Sequence, residues 1–175
     1  SQMTLNYTRG NGDSVLIVTS KSNSLSSDPV NGTLYTASSV YGSVTSLGGG
    51  FVVYKDVAGG RNSTNNTLTV TGLTSSTPCY FYLYEFNKSG TGVGSCYKIP
   101  AASLSQNTLT AATDFFRSRV STSWNDPNTW ESSYDSAKWV TSTLKPTSSA
   151  KNILIKDSVT ITNTTESAKL LTIAS

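Results

Sequence analysis

The sequence predicts an all-β protein, an antiparallel sandwich followed by a small solenoid-like β unit. Three observations carry that reading. Residues 68–87, LTVTGLTSSTPCYFYLYEFN, hold two β-forming runs around a break at 72–78. The first alternates Leu68 and Val70 with threonines, and the second is apolar or aromatic at almost every position. Alternation suggests a strand with one wet face, and a continuous run suggests a strand covered on both. Gly, Asn and Asp clusters recur at intervals that suit antiparallel strands, and no stretch sustains a helical period with caps. Charged residues make up only 13% of the 175, and with so many threonines and aromatics this favours sheet over disorder.

Along the chain, strand-like runs fall at residues 3–8, 14–20, 50–55, 67–71, 79–87 and roughly 96–108. Arg9-Gly10-Asn11-Gly12-Asp13 supplies a tight turn between the first two. Gly48-Gly49-Gly50, Gly59-Gly60 and the glycines of 90–94 mark later turns. Residues 21–47 form a long polar excursion containing Asp28-Pro29, Asn31-Gly32, Tyr35 and Tyr41. A connection this long is expected to pack or to function, with one short edge strand near 34–37.

Composition shifts at 111–114, so residues 1–110 read as the sandwich and 111–175 as a second unit. Trp124, Trp130 and Trp139 all fall in that second part. Short runs at 152–156, 158–162 and 169–174 then place Ile153 and Ile155, Val159 and Ile161, and Leu171 and Ile173 two positions apart. Each pair is expected on one face of a strand. Such strands, with no helix between them, suit successive sides of a β solenoid whose end the tryptophans cap. The abrupt first and last residues read as those of a fragment.

Composition also excludes chemistry. The chain has no histidine, which removes a Ser-His-Asp triad and any histidine-bearing zinc site. Two cysteines cannot make a four-thiolate site. A net charge of +3 with scattered Lys and Arg gives no nucleic-acid patch. No apolar run is long enough to span a membrane. Asp13, Asp28, Asp56, Asp114, Asp126, Asp135 and Asp157 all lie beside turn residues, where aspartate is ordinary. Glu85, inside an apolar run, reads either as an acid of raised pKa or as an acceptor of backbone hydrogen bonds at a strand end. No cofactor, metal or catalytic residue is expected.

The segments Leu5-Asn6-Tyr7-Thr8-Arg9-Gly10-Asn11-Gly12, Asp28-Pro29-Val30-Asn31-Gly32-Thr33-Leu34-Tyr35-Thr36, Phe51-Val52-Val53-Tyr54 and Val70-Thr71-Gly72-Leu73-Thr74 carry a resemblance. With 15–18 and 80–87 they resemble the fibronectin type III-like modules of large secreted and surface proteins of Bacteroidetes-type bacteria, over about residues 2–110. Phe116-Arg117-Ser118-Arg119, Ser123-Trp124-Asn125-Asp126-Pro127-Asn128-Thr129-Trp130-Glu131, Trp139-Val140 and Lys145-Pro146-Thr147 look like a companion element of such proteins. With 153–157 and 159–161 this covers about residues 114–173 and leads into a right-handed β-helix-like repeat. Two departures stand out. The first strand of a type III sandwich is missing or shortened, which leaves a sheet edge to be covered. Cys79 occupies the place of a corner tyrosine, with Tyr80 beside it.

The resemblance implies a non-catalytic, extracellular or cell-surface spacer or adhesion module of a bacterial protein. Its partners would be neighbouring domains of a longer chain, glycans or another surface protein. The alternative is a carbohydrate-binding module accessory to a polysaccharide-degrading enzyme. Its stacking aromatics would be Tyr80, Tyr82 and Tyr84, or Trp124, Trp130 and Trp139. Against it, a bare aromatic ladder is costly in water, so the tyrosine stripe and Phe86 are expected to lie under the 21–47 excursion or the second unit. Cys79, Phe81, Leu83 and Glu85 are assigned to the sandwich core. Cys79 and Cys96 form a candidate disulfide, although a simple hairpin puts Cys96 opposite a residue near Phe86. Asn6, Asn31, Asn62, Asn65, Asn87 and Asn163 head N-x-Ser/Thr triplets, and Asp13, Asp135 and Asp157 head Asp-Ser-x triplets like a bacterial O-glycosylation site.

Overall fold

The computed structural model describes residues 1–44, 46–55, 66–88, 95–162 and 166–174. The glycine turns expected at 59–60 and 90–94, together with Asp56, Asn62, Asn65 and Asn163, lie outside the described residues. The fold is all-β. Contacts divide it into two units, one of Ser1–Leu73 with Pro78–Gln106, the other of Thr74–Thr77 with Asn107–Ser175.

In the first unit, β1 (Met3–Tyr7) is followed by β2 (Ser14–Ser20), β3 (Ser46–Leu47) and β4 (Gly50–Lys55). Then come β5 (Asn66–Val70), β6 (Pro78–Lys88), β7 (Ser95–Tyr97) and β8 (Ala102–Asn107). β1 pairs only with β5 among the described residues. The other sheet runs β3-β4-β2-β6-β7, and β8 also pairs with β6. Gly48 and Gly49, with φ of 59° and 83°, turn the chain between β3 and β4, the left-handed conformation that two-residue hairpins need.

Burial follows the strand period. Val15 and Ile17 of β2, Val53 of β4, and Cys79 and Phe81 of β6 face Leu5, Leu68 and Val70 of the two-stranded sheet. Leu16 and Val18, Val52, and Tyr84 and Phe86 point the other way, toward Leu25, Tyr35, Ala37, Leu47 and Tyr97. The arrangement is sandwich-like, with the excursion as a third layer. Consequently β2 is buried at all seven positions, whereas β5 alternates.

Two strand expectations need correction. Residues 34–37 form no strand; the short edge strand is Ser46–Leu47. Tyr35 and Ala37 pack on the sheet through their side chains instead. The run at 96–108 is two strands, β7 and β8, separated at the Ile99-Pro100 bond, where proline has no N–H to give to a ladder.

The second unit holds β9 (Phe115–Ser118), a single 3-10 turn (Pro127–Thr129), β10 (Trp130–Ser133), β11 (Val140–Thr141), β12 (Asn152–Ile155) and β13 (Leu171–Ile173). Its sheet order is β11-β10-β9-β12-β13. β12 is parallel to both β9 and β13. Phe116, Trp124, Trp130, Ala150 and Ile153 make its core. The run at 158–162 is only a bridge, Ser123 to Thr160. Ile153 is buried, but Leu171 and Ile173 are exposed, contrary to the inward placement expected of them.

Asp114 organises this unit. It is buried, and its carboxylate accepts the hydroxyls of Ser75 and Ser76 and the amide of Ala111, each at 2.8 Å. Ser76 and Thr110 both bond to the buried Ser132 hydroxyl. A buried carboxylate is tolerable only when bonded in this way. These bonds explain why Thr74–Thr77 belongs to the second unit.

The burial pattern predicts that the adjacent substitutions Leu16→Ala and Ile17→Ala each cost about 2–5 kcal/mol, because neither face of β2 is free. In β5, Leu68→Ala should cost a similar amount, but Thr69→Ala no more than about 1 kcal/mol. Urea unfolding of the four variants checks this.

Candidate functional site

The tyrosine stripe of β6 is placed by strand alternation, so the rings share one face. Tyr84 is 1% exposed, and its hydroxyl donates to Asp28 Oδ1 at 2.8 Å. Burial, then the bond to Asp28, pushes its phenol far above the ordinary tyrosine range. Tyr82 is half-buried and donates to the carbonyl of Ser22. Tyr97 of β7 packs on Phe86 with ring centroids 5.0 Å apart and donates to the carbonyl of Thr33. Tyr35 accepts the Val30 amide. The rings fill the interior while their hydroxyls bind the excursion, which lacks regular structure through most of its length. Tyr84 is therefore no ligand platform, and only Tyr80 and Tyr82 keep partial exposure on that face.

Trp124 and Trp130 meet edge to face at 4.9 Å, and Trp130 Nε1 donates to the carbonyl of Trp124. They are 2% and 0% exposed. Their core position corrects the candidate stacking role for this pair. Trp139 is different. It is half-buried, and the Arg117 guanidinium lies 4.3 Å from its ring centroid. Arg117 in turn bonds Glu131, its register partner on β10, at 2.6 Å. Nearby in sequence, exposed Tyr134 and half-buried Phe115 share the Lys151 ammonium, 4.7 and 5.1 Å from their centroids. The sequence reading missed this cation–aromatic set because β9, β10 and β11 carry too few apolar residues to stand out.

Glu85 accepts the amides of Gly10 and Gly12, both at 2.8 Å, one on each carboxylate oxygen. It fastens the turn between β1 and β2. A Cβ on Gly12 would come within 2.5 Å of Glu85 Oε2. A pocket of about 150 Å³ beside Glu85 is lined also by Asn87, Cys96, Tyr97 and Lys98. An open groove of about 470 Å³ follows β4, with Tyr35, Ala37, Tyr54, Lys55 and Leu68 in its walls.

The candidate disulfide is not formed. Both thiols are free, Cys79 buried and Cys96 exposed. Cys96 lies opposite Asn87, eight residues along β6 from Cys79, or about 26 Å at the strand rise. A disulfide bridges Cα atoms only up to about 7 Å apart.

Asp126, Asp135 and Asp157 accept hydrogen bonds from nearby amides or hydroxyls. Asp126 accepts the amide of Asn128 and caps the 3-10 turn. Asp157 accepts the Ser118 hydroxyl, which itself accepts the amides of Lys156 and Asp157. Asp135 accepts the amides of Ala137 and Lys138 and the Ser133 hydroxyl. Those donors hold its pKa down at about 2. Among the described residues, no three His, Cys, Asp or Glu groups are placed to hold a metal ion.

Comparison with protein-family models, curated proteins and solved structures yields no significant match.

Three outcomes are expected. Glu85→Ala should raise amide exchange at Gly10 and Gly12 and cost about 1–3 kcal/mol, and Gly12→Ala should act in the same direction. Thiol labelling of the native chain should modify Cys96 rapidly and Cys79 only on unfolding. A carbon-detected NMR titration should find Asp135 ionised down to about pH 2. Because that pKa is depressed by folding, its stabilisation is present above the unfolded value near 3.8 and is lost as pH falls through about 2.

Proposed function

We propose that this chain is a non-catalytic structural module of a larger extracellular or cell-surface protein, acting as a spacer or adhesion scaffold. The reading takes the first unit as a type III-like sandwich without its first strand, and the second as the start of a coiled β unit. One observation carries it. Most of the side chains best suited to chemistry or ligand stacking are engaged in packing or in hydrogen bonds within the fold. Tyr84, Tyr82 and Tyr97 hold the excursion, Trp124 and Trp130 fill a core, and Glu85 and Asp114 bond turns. The pairing of β1 with β5 against β4-β2-β6-β7 is also the strand arrangement expected of such a sandwich once its first strand is removed.

Sugar binding retains one specific support. Trp139 keeps part of its ring accessible, and Tyr134 is 51% exposed in the same unit. Flat aromatics beside fixed cations suit the apolar faces and hydroxyls of a polysaccharide.

Insoluble-polysaccharide pull-down and a glycan array separate the two. The scaffold reading expects the intact chain and its Trp139→Ala variant to be retained equally weakly. Specific retention on one glycan, abolished by Trp139→Ala with Tm unchanged, would establish the sugar-binding module instead.

A further inference from the structure

In the second unit the Lys145 ammonium lies between two side chains of different chemistry. Its Nζ is 2.6 Å from Asn125 Oδ1 and 2.6 Å from Glu166 Oε1. The Glu166 side chain is only 10% exposed, that of Lys145 37%. An amine, a carboxamide and a carboxylate meeting at one point exceed what an ion pair needs. A surface salt bridge contributes little, and the Glu166 contact alone would complete it. Asn125 adds an electrophile. The carbon of its amide is one bond beyond the oxygen that Nζ already touches.

The backbone holds amine and amide in place. The Asn125 amide N–H donates to Ser123 Oγ. The Trp124 amide donates to the Thr160 carbonyl and the Asp126 amide to that of Ser123. On the lysine side, Ser142 Oγ donates to the Leu144 carbonyl and accepts the Leu144 amide, and Pro146 is buried. Asp126, the neighbouring acid in sequence, is engaged elsewhere, since its Oδ1 accepts both the amide and Nδ2 of Asn128. Reactants fixed near contact have already lost the freedom that a bimolecular step must surrender.

We propose that Lys145 and Asn125 form an intramolecular isopeptide cross-link, with Glu166 as the proton-transfer group. Lys145 Nζ gives a proton to Glu166, and the freed lone pair attacks Asn125 Cγ. The bond from Cγ to the Asn125 amide nitrogen then breaks. The two protons shed by the lysine nitrogen pass through Glu166 to the departing nitrogen, which leaves as ammonium. One C–N bond forms and one breaks, nothing is oxidised or reduced, and Glu166 ends as it began.

The product closes a covalent loop between residues 20 apart, with Trp130 and Trp139 inside it. Closing a loop removes freedom from the unfolded chain, as a disulfide does, but a reductant does not undo it. The two cysteines make no such staple, because both thiols are free. Cross-linking here is independent of whether the chain is a spacer or a sugar-binding module.

Intact mass of the purified chain is the test. After incubation at neutral pH, the folded wild type should be lighter than its sequence by one ammonia, whereas chain held unfolded in urea should not. Peptides carrying Asn125 and Lys145 should stay joined after proteolysis under reducing conditions. Simple deamidation is distinguished by mass, since it replaces ammonia with water. Lys145→Arg should abolish the loss, and Glu166→Gln should slow it by about tenfold or more, with circular dichroism confirming that each variant folds. A folded wild type that keeps its full sequence mass would overturn the proposal without reference to any variant. So would an ammonia loss that persists in Lys145→Arg. An unchanged rate in Glu166→Gln would overturn the part given to Glu166.

Discussion

The first unit is governed by one constraint: β2 must be kept from water on both faces. A strand reading Ser14-Val15-Leu16-Ile17-Val18-Thr19-Ser20 has no polar side to offer. One sheet can cover only one of those faces. The short β1–β5 pair takes the first, and the 21–47 excursion takes the second. The length of that excursion then follows, since it must reach across β4, β2 and β6 with only its last two residues, β3, in a ladder. Its backbone groups still need partners, and the hydroxyls of Tyr35, Tyr82 and Tyr97 supply several of them. Ring burial and loop fixation are two consequences of the same placement.

The second unit solves a different problem. Its apolar inventory is small, so two tryptophans provide bulk, and a buried carboxylate provides direction. Hydrophobic contact alone leaves short strands free to slide. Asp114 demands three particular donors and so fixes which segments meet around it. The cost of desolvating the charge is offset only when all three are present.

Much of this was legible in the sequence. The runs at 14–20 and 50–55 are strands with those bounds, because β-branched density between glycine turns leaves little alternative. The all-β class follows from the same signal. The placement of Glu85 at a strand end, bonding backbone, was one of the two readings its neighbours allowed. What stayed hidden is what local pattern does not encode. Phe115-Phe116-Arg117-Ser118 is too short and too polar to announce a strand, and becomes one only because β10 and β12 flank it. Leu171 and Ile173 have an inward pattern, but burial requires a neighbour that the pattern cannot supply. The Trp139 and Arg117 pairing joins residues 22 apart through cross-strand register, which no periodicity reveals.

The four-residue segment Thr74–Thr77 interrupts the first unit's chain yet counts with the second. The two units are therefore not consecutive along the polypeptide, and no single cut separates them. A gene fragment beginning at residue 107 would omit the serines whose hydroxyls donate to Asp114, and one ending at 106 would keep them without that acceptor. Recombination that swaps whole modules at a single junction would break this pair apart badly.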